Sequence, residues 1–362
     1  MNSTQELLSV IRLKKYFPLP KKSFFQKGRP HLRAVDEITL DVKKGEIFGL
    51  VGESGCGKST FGRTLLQLYS PTSGEVKYFG RSLQEFAPKY ARKTTADEGI
   101  DLTKLTPKEL RLLRKDLQII FQDPYSSLNP RMTVGQIIAE GAITHKYYKK
   151  GSKELQNYVV ETMKKCGLQP YMLHRYPHQF SGGQRQRVCI ARALAVKPKF
   201  IVCDECVSAL DVSVQSQILN LLLDLKEQEG LTYLFISHDL SVVRHVSNRI
   251  AVMYLGKIVE SGNAQDVFEN PRHPYTVALI SAIPTTEGKK DKILLSGNMP
   301  SPVSPPSGCP FHMRCFMAQE CCRRIPAPVV EIEKGHFVAC HFAEKTTEEK
   351  RKIALSKQKV KG

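Results

Sequence analysis

The stretch Gly52-Glu53-Ser54-Gly55-Cys56-Gly57-Lys58-Ser59 follows an apolar strand predicted over Glu46 to Val51 and precedes a helix predicted from about Lys58 to Leu68. It fits G-x-x-x-x-G-K-[ST] at a strand-to-helix turn. Glycines let successive backbone N–H groups converge on a phosphate, and the helix N-terminus adds positive potential. We therefore predict a nucleotide phosphate site that consists of Gly52, Glu53, Ser54, Gly55, Cys56, Gly57, Lys58, Ser59 and Thr60. Within this site Lys58 reaches the outer phosphates and Ser59 holds Mg²⁺.

Strands and helices alternate on both sides of this loop. Short apolar runs at 200–205 and 232–239 are separated by the helical pattern SVQSQILNLLLDLKEQEG at 213–230, and RIAVMYLGKIVESG reads as a final strand pair. Such alternation is typical of an α/β fold with a mostly parallel sheet and with phosphate chemistry at the carboxyl ends of its strands.

Two carboxylates end the strand FIVCDE. Asp204 is placed to hold Mg²⁺, and Glu205, one residue later, to polarise an attacking water. An apolar strand that ends in Asp-Glu is common by itself. Together with the phosphate loop 146 residues earlier, it indicates nucleotide hydrolysis.

A second anion-binding helix start is predicted at Ser181-Gly182-Gly183-Gln184, within FSGGQRQR. One chain with one nucleotide needs only one such terminus. A head-to-tail dimer needs both, because the Ser-Gly-Gly turn of one subunit would close over the nucleotide bound by its partner.

Composition limits the function classes. The 362-residue chain has no run of eighteen apolar residues and no secretory apolar core near its N-terminus, so we expect neither a membrane-spanning helix nor secretion. Its formal charge of +19 suits nucleic acid, anionic lipid or phosphorylated ligands, and part of it comes from the two ends of the chain.

The whole pattern resembles an ATP-binding-cassette ATPase over residues 8–268, a P-loop fold with a RecA-like core, an antiparallel β subdomain and a helical signature subdomain at about 124–195. The resemblance implies ATP and Mg²⁺ as cofactors, with Gln122 as a Mg²⁺ ligand and the coupling glutamine. It also implies His238 as the switch histidine and Tyr16 as the residue that stacks on adenine. The loop that acts across the dimer corresponds to Ser208, Ala209, Leu210 and Asp211.

Longer segments, including QIIFQDPYSSLNPRMTVGQII and NPRHPYTVALISAIP, resemble the F-type ATPase subunit of oligopeptide and dipeptide importers. This implies an ATPase at the cytoplasmic face of the membrane that energises peptide uptake. The implied partners are a homologous sister ATPase in a heterodimer, two transmembrane permease subunits and, indirectly, an extracytoplasmic substrate-binding protein. Alternatives are import of nickel or another small solute, or a cassette acting on nucleic acid, although no nucleic-acid partner is expected.

The C-terminal part, GNMPSPVSPPSGCPFHMRC onward, resembles that family's extension, predicted over 269–342 and followed by a basic tail at 343–362. Five of the ten cysteines lie within it. Cys309, Cys315, Cys322 and Cys340 resemble the family's four-cysteine pattern, which is associated with an iron–sulfur cluster, here a [4Fe-4S] cluster. Zinc and free buried thiols remain alternatives, and spacing alone does not separate Cys322 from Cys321.

Two features depart from the family pattern. Residues 81–100 are predicted to be an insertion, and Cys206 follows Glu205 where the family usually has proline. The second departure leaves both carboxylates in place.

Overall fold

A computed structural model describes residues 5–20, 29–81, 99–283 and 292–359. The chain divides into two compact units. Unit one comprises Met1–Ser9, Asp41–Ile47 and Val76–Ile236, and unit two comprises Val10–Leu40, Phe48–Glu75 and Ser237–Gly362. Most of the insertion predicted at 81–100 lies outside the described residues.

Strands and helices alternate along the described chain, as predicted for an α/β fold. The strands are β1 (Glu6–Pro18), β2 (His31–Lys43), β3 (Ile47–Val51), β4 (Ser73–Tyr78), β5 (Ile100–Asp101), β6 (Leu117–Ile120), β7 (Phe200–Asp204), β8 (Thr232–Ser237), β9 (Arg249–Tyr254), β10 (Lys257–Asn263), β11 (Val329–Glu333) and β12 (His336–Ala339). The α-helices are α1 (Lys58–Leu65), α2 (Pro107–Leu113), α3 (Pro124–Ser127), α4 (Val134–Thr144), α5 (Lys153–Lys165), α6 (Gly182–Leu194), α7 (Val212–Glu229), α8 (Leu240–Val246), α9 (Ala264–Glu269), α10 (Pro274–Ser281), α11 (Glu320–Arg324) and α12 (Thr347–Lys359).

Unit one contains three parallel strands and the helices between them. β6 pairs with β7, and β7 pairs with β8 in the register that places Phe200 opposite Thr232. Every residue of β7 and β8 is buried, which is why these segments read as continuous apolar runs rather than as alternating ones. In the region predicted as helical, α4 and α5 contact each other and α6.

Unit two carries the strand that leads into the phosphate loop. β3 is parallel to β9, and β10 returns antiparallel beside β9. β12 then pairs antiparallel with β10, and β11 pairs with β12. The C-terminal residues therefore extend a sheet, an arrangement that the cysteine-rich sequence did not predict.

The helix after the phosphate loop is shorter than predicted. Helix α1 stops at Leu65 rather than Leu68, because Gln67 adopts a left-handed conformation with φ +55°. Strand β6 stops at Ile120, and Asp123 then caps α3 by accepting hydrogen bonds from the N–H groups of Tyr125 and Ser126. The basic tail predicted at 343–362 contains α12.

Among the described residues, no helix combines the length and apolar character that a bilayer span requires.

A buried ion pair stabilises unit one. Asp116 is 2% exposed, and its carboxylate accepts hydrogen bonds from the Tyr78 hydroxyl at 3.0 Å and from Arg81 Nη2 at 2.7 Å. Removing the carboxylate leaves the guanidinium and the hydroxyl without their partner.

We expect Asp116→Ala to lower the free energy of unfolding by about 3–5 kcal/mol, as measured by urea denaturation. The control is Glu161→Ala, which breaks an exposed pair with Lys164 and should cost no more than about 1 kcal/mol. Similar losses in the two variants would contradict the special role of Asp116.

Candidate functional site

The phosphate loop of unit two has a backbone that only glycine fits at two positions. Gly52 and Gly57 have φ values of +152° and +111°. A Cβ at Gly52 would lie 2.2 Å from the Met253 carbonyl oxygen, and one at Gly57 would lie 2.0 Å from that of Ala34. Because both obstacles are backbone atoms, a side chain would have to displace a neighbouring segment.

Lys58 lies where the motif predicted. It is 4% exposed, and its Nζ donates hydrogen bonds to the carbonyl oxygens of Gly52 at 2.7 Å and Glu53 at 3.1 Å. Lys58 is also the first residue of α1, so its charge and the positive helix N-terminus occupy the same loop. This arrangement suits an anion of high charge density, such as a polyphosphate.

Tyr16 and His238 also belong to unit two. The Tyr16 hydroxyl donates to the Asp36 carboxylate, and burial, reinforced by this hydrogen bond, raises the pKa of Tyr16. The Arg33 guanidinium lies 5.7 Å from the centre of the Tyr16 ring. His238 is exposed, just before α8. The roles of Tyr16 in adenine stacking and of His238 in contacting the outer phosphate stay predictions.

Unit one brings two predicted residues into direct contact. The amide Nε2 of Gln122 donates a hydrogen bond to Glu205 Oε2 at 3.1 Å. Glu205 directly follows β7 and adopts φ +49°, a left-handed conformation that is uncommon for a residue other than glycine. Its backbone N–H donates to the Ile236 carbonyl at 3.0 Å, which holds the turn. Asp204, the last residue of β7, is 1% exposed.

The predicted signature turn caps a helix, as expected. The Ser181 hydroxyl accepts from the Gln184 N–H at 3.4 Å, and the Gln184 side chain accepts from the Ser181 N–H at 3.1 Å. A Cβ at Gly183 would lie 2.4 Å from Val214 Cγ1. Glycine at this position therefore lets the start of α6 approach α7 closely.

In unit one, the loop Ser208–Asp211 contacts both the Glu205 segment and the signature turn at Ser181–Gly183. The N–H and the hydroxyl of Ser208 donate to the Glu205 carbonyl at 3.2 and 2.9 Å. Leu210 lies 3.5 Å from the point where a Cβ of Gly182 would stand. The loop thus contacts both the segment that carries Glu205 and the signature turn.

Cys206 has a structural account. It is 2% exposed, and its thiol is hydrogen-bonded to the buried thiol of Cys203. This hydrogen bond and burial raise the pKa of Cys203. Cys206 therefore stands in place of the family's proline as a packed, buried side chain, and the Gln122–Glu205 contact is still present beside it.

The three residues predicted to bind Mg²⁺ through oxygen atoms do not all belong to one unit. Ser59 belongs to unit two, and Gln122 and Asp204 to unit one. Hydroxyl, amide and carboxylate oxygens are the ligand types that Mg²⁺ prefers, so the donor set fits the ion chemically.

The four predicted cysteines line one small cavity in unit two, together with His273, Phe311 and His341. Cys322 lines it and Cys321 does not. Burial raises the pKa of Cys309 to about 11 and that of Cys315 to about 12. No group of three or more His, Cys, Asp or Glu side chains in the described part of the chain is arranged to hold a metal ion.

Two residues that sequence reasoning did not single out contact the phosphate loop. Arg314 Nη1 donates to the Glu53 carboxylate, and the Tyr275 hydroxyl accepts from the Glu53 N–H at 2.9 Å. Both lie in motifs that carried the family resemblance, NPRHPYTVALISAIP and GCPFHMRC. Their separation from Glu53 by more than 200 residues left no local signal of contact.

Two family models match the chain. Residues 35–208 match the model described as "ABC transporter", and residues 259–322 match "Oligopeptide/dipeptide transporter, C-terminal region". Among solved structures, the dimeric post-hydrolysis state of the ATP-binding cassette MJ0796 bound to ADP and Pi is similar, with a TM-score of 0.58 and 28% identity over 71% of this chain and 99% of that one. The cbiO1 structure from Clostridium perfringens has a TM-score of 0.57 at 26% identity and covers 73% of this chain and 91% of that one.

Similar curated proteins span nearly the full chain. The oligopeptide transport ATP-binding protein AppF of Bacillus subtilis is 46% identical, with 94% of this chain and 98% of that protein covered. OppF of Escherichia coli shows the same identity and coverage, and the dipeptide transport ATP-binding protein DppF of Haemophilus influenzae is 44% identical, with 92% and 96% covered. The P-loop fold and the ATPase prediction are thereby confirmed, and the chain belongs to the ABC transporter ATPases, in the group that carries the oligopeptide/dipeptide transporter C-terminal region.

Proposed function

We propose that this chain is the ATP-hydrolysing subunit of an importer that takes up di- or oligopeptides. The relatives named above are oligopeptide and dipeptide transport ATP-binding proteins, and the match to the C-terminal transporter region distinguishes this chain from a general cassette. Cassettes that act on nucleic acid have no comparable support. Import of nickel or another small solute would use the same ATPase residues, so the cargo has to be tested by transport.

The hydrogen bond between Gln122 and Glu205 carries the proposal. Glu205 is the residue that would polarise the attacking water, and Gln122 stands between β6 and α3, at the start of the helical region. A movement of the helical region would therefore shift Gln122 and, through the hydrogen bond, the Glu205 carboxylate. That connection is what a transport ATPase requires, because hydrolysis must follow the state of the membrane partner.

The other predicted site residues would bind the phosphates and Mg²⁺ and would complete a second ATP site. Lys58 and the loop N–H groups would hold the phosphates, and Ser59 and Asp204 would hold Mg²⁺, which neutralises phosphate charge when bound. His238 would contact the outer phosphate. Ser181 and Gly182 would complete the site of a second ATPase subunit, which we propose to be a homologous sister chain.

We expect Glu205→Gln to retain ATP binding and to lower hydrolysis about 100-fold or more, because the amide is isosteric but cannot act as a base. Phosphate release by the complex with the sister subunit is the measurement. Glu161→Gln, an exposed change in the same unit, should leave the rate unaltered. Unchanged turnover in Glu205→Gln would remove Glu205 from this role.

We propose that a groove in unit one receives a cytoplasmic segment of a permease subunit and so places the chain at the cytoplasmic face of the membrane. The groove has a volume of about 850 Å³ and lies among α4, α5 and the turn before α6. Apolar side chains such as Ile143, Leu155 and Leu173 lie in it beside polar ones. This mixture suits an amphipathic helix of a partner. A substrate-binding protein would take part indirectly, through the permease.

Uptake of labelled peptide by cells tests the whole function. In cells whose own copy is deleted, we expect the wild-type chain to restore uptake and Lys58→Ala to abolish it, because the phosphates lose their main cation. Lys108→Ala, an exposed change on α2, is the matched control. Membrane association should persist in Lys58→Ala. Retained peptide uptake would refute an essential ATP site, and restored uptake of nickel alone would refute the peptide cargo.

We also propose that the cysteine-lined cavity holds a [4Fe-4S] cluster through Cys309, Cys315, Cys322 and Cys340. These four cysteines line one cavity, although their side chains are not arranged around a metal ion in this structure. Cysteine sulfur is the ligand type that such clusters take, so the residues fit the cluster by their chemistry, and binding would have to draw the thiolates together. The cluster would connect the segment 309–315, helix α11 and the residue that follows β12. We assign it a structural or regulatory role.

Anaerobically purified protein should be brown, absorb near ~400 nm and contain about four iron and four sulfide ions per chain, as expected for this cluster type. Cys322→Ser should lose most of the colour, whereas Cys321→Ser should keep it, because only Cys322 lines the cavity. Colourless protein with stoichiometric zinc would contradict the cluster.

A further inference from the structure

Glu53 in the phosphate loop is held by two residues of the C-terminal region, all within unit two. Its carboxylate accepts hydrogen bonds from Arg314 Nη1 at 3.1 Å to Oε1 and 2.9 Å to Oε2. Its backbone N–H donates to the Tyr275 hydroxyl at 2.9 Å. Side chain and main chain are thus fixed separately, which determines the orientation of the residue.

The contact with Arg314 is largely withdrawn from water. The Arg314 side chain is 8% exposed and that of Glu53 is 27% exposed. Hydrogen bonds between charged groups in such surroundings are stronger than exposed ones, and loss of one partner leaves the other charge uncompensated.

Glu53 also belongs to the part of the loop that binds phosphate. Its carbonyl accepts from the Cys56 N–H at 3.2 Å, which closes a turn, and from Lys58 Nζ at 3.1 Å. The surrounding loop contains three glycines with positive φ, and glycine loses more conformational freedom on ordering than any other residue. A fixed Glu53 reduces the ordering that ATP binding would otherwise require. Arg314 also neutralises a carboxylate that would repel a triphosphate.

The same short segment lines the cysteine cavity. Phe311 is one of the cavity residues, and its ring packs against Tyr254 and Tyr275 with centroid distances of 5.2 and 5.3 Å. Arg314 directly precedes Cys315, which also lines the cavity. The contacts on Glu53 therefore depend on how residues 311–315 are held.

We propose that Arg314 is a positioning residue of the nucleotide site, through which the C-terminal region holds Glu53 of the phosphate loop. The affinity for ATP then depends on whether the cysteine-lined cavity holds its cluster, because residues 311–315 both line the cavity and contact the loop. ATP would be bound well only by chains whose C-terminal region is correctly formed. Arg314 acts through Glu53 and has no assigned contact with the nucleotide.

Binding of a fluorescent ATP analogue with Mg²⁺ to the full-length chain tests the contact. We expect Arg314→Ala to raise the Kd about tenfold, Arg314→Lys to raise it about threefold or less, and Glu53→Gln likewise. The double variant Arg314→Ala/Glu53→Gln should bind no more weakly than Arg314→Ala, because the unneutralised charge is gone. Arg324→Ala, on the exposed surface of α11, is the matched control and should leave the Kd unchanged.

A merely structural role gives a different result. If Arg314 only stabilised the fold, the effects of the two single substitutions would multiply to about thirtyfold, and the Kd would follow the melting temperature. Either outcome would overturn the proposal, as would an unchanged Kd in Arg314→Ala. A circular-dichroism melt of each variant supplies the comparison.

The link to the cavity is tested separately, and this part rests on the proposed cluster. Oxidative removal of iron with ferricyanide and EDTA should raise the Kd of the wild-type chain about as much as Arg314→Ala does, and should add little in that variant. An unchanged wild-type Kd after verified loss of iron would refute the link. If the purified chain holds no iron, the cluster is refuted while the Arg314→Ala result still decides whether Arg314 positions the loop.

Discussion

The close approach of the phosphate loop to its neighbours is the constraint on which the rest of the site depends. The backbone passes so near the carbonyls of Met253 and Ala34 that no side chain fits at Gly52 or Gly57. This path leads directly into α1, whose positive N-terminus begins at Lys58. Arg314 and Tyr275 contact this glycine-rich segment from the C-terminal region, and Lys58 contacts it from within the loop.

In unit one, the contacts that matter are those of Glu205, directly after β7. There Glu205, which we propose as the hydrolytic carboxylate, adopts a left-handed backbone conformation. Gln122 contacts its side chain, and Ser208 contacts its carbonyl. Gln122 lies at the start of the helical region, and Ser208 belongs to the loop that contacts the signature turn. The contact at the phosphate loop is largely buried, whereas the hydrogen bond between Gln122 and Glu205 is exposed.

The charge of the chain is less informative than these contacts. The value of +19 is compatible with several classes of anionic ligand, and only the motifs separated them. In the structure, many of the basic side chains are individually engaged: Arg314 with Glu53, Arg81 with Asp116, Lys257 with Asp36. Net charge therefore describes the surface of this protein better than it describes its site.

The sequence by itself determined the α/β alternation, the phosphate loop, the cap at Ser181 and the family, because these depend on residue types at short, fixed spacings. Only the tertiary structure decided which cysteine of the Cys321-Cys322 pair lines the cavity, that β12 joins β10, and that Arg314 reaches Glu53. Those contacts join residues far apart in the chain, and no local pattern encodes them. Helix α1 ended early for the same kind of reason, since the conformation of Gln67 is set by its surroundings rather than by its type.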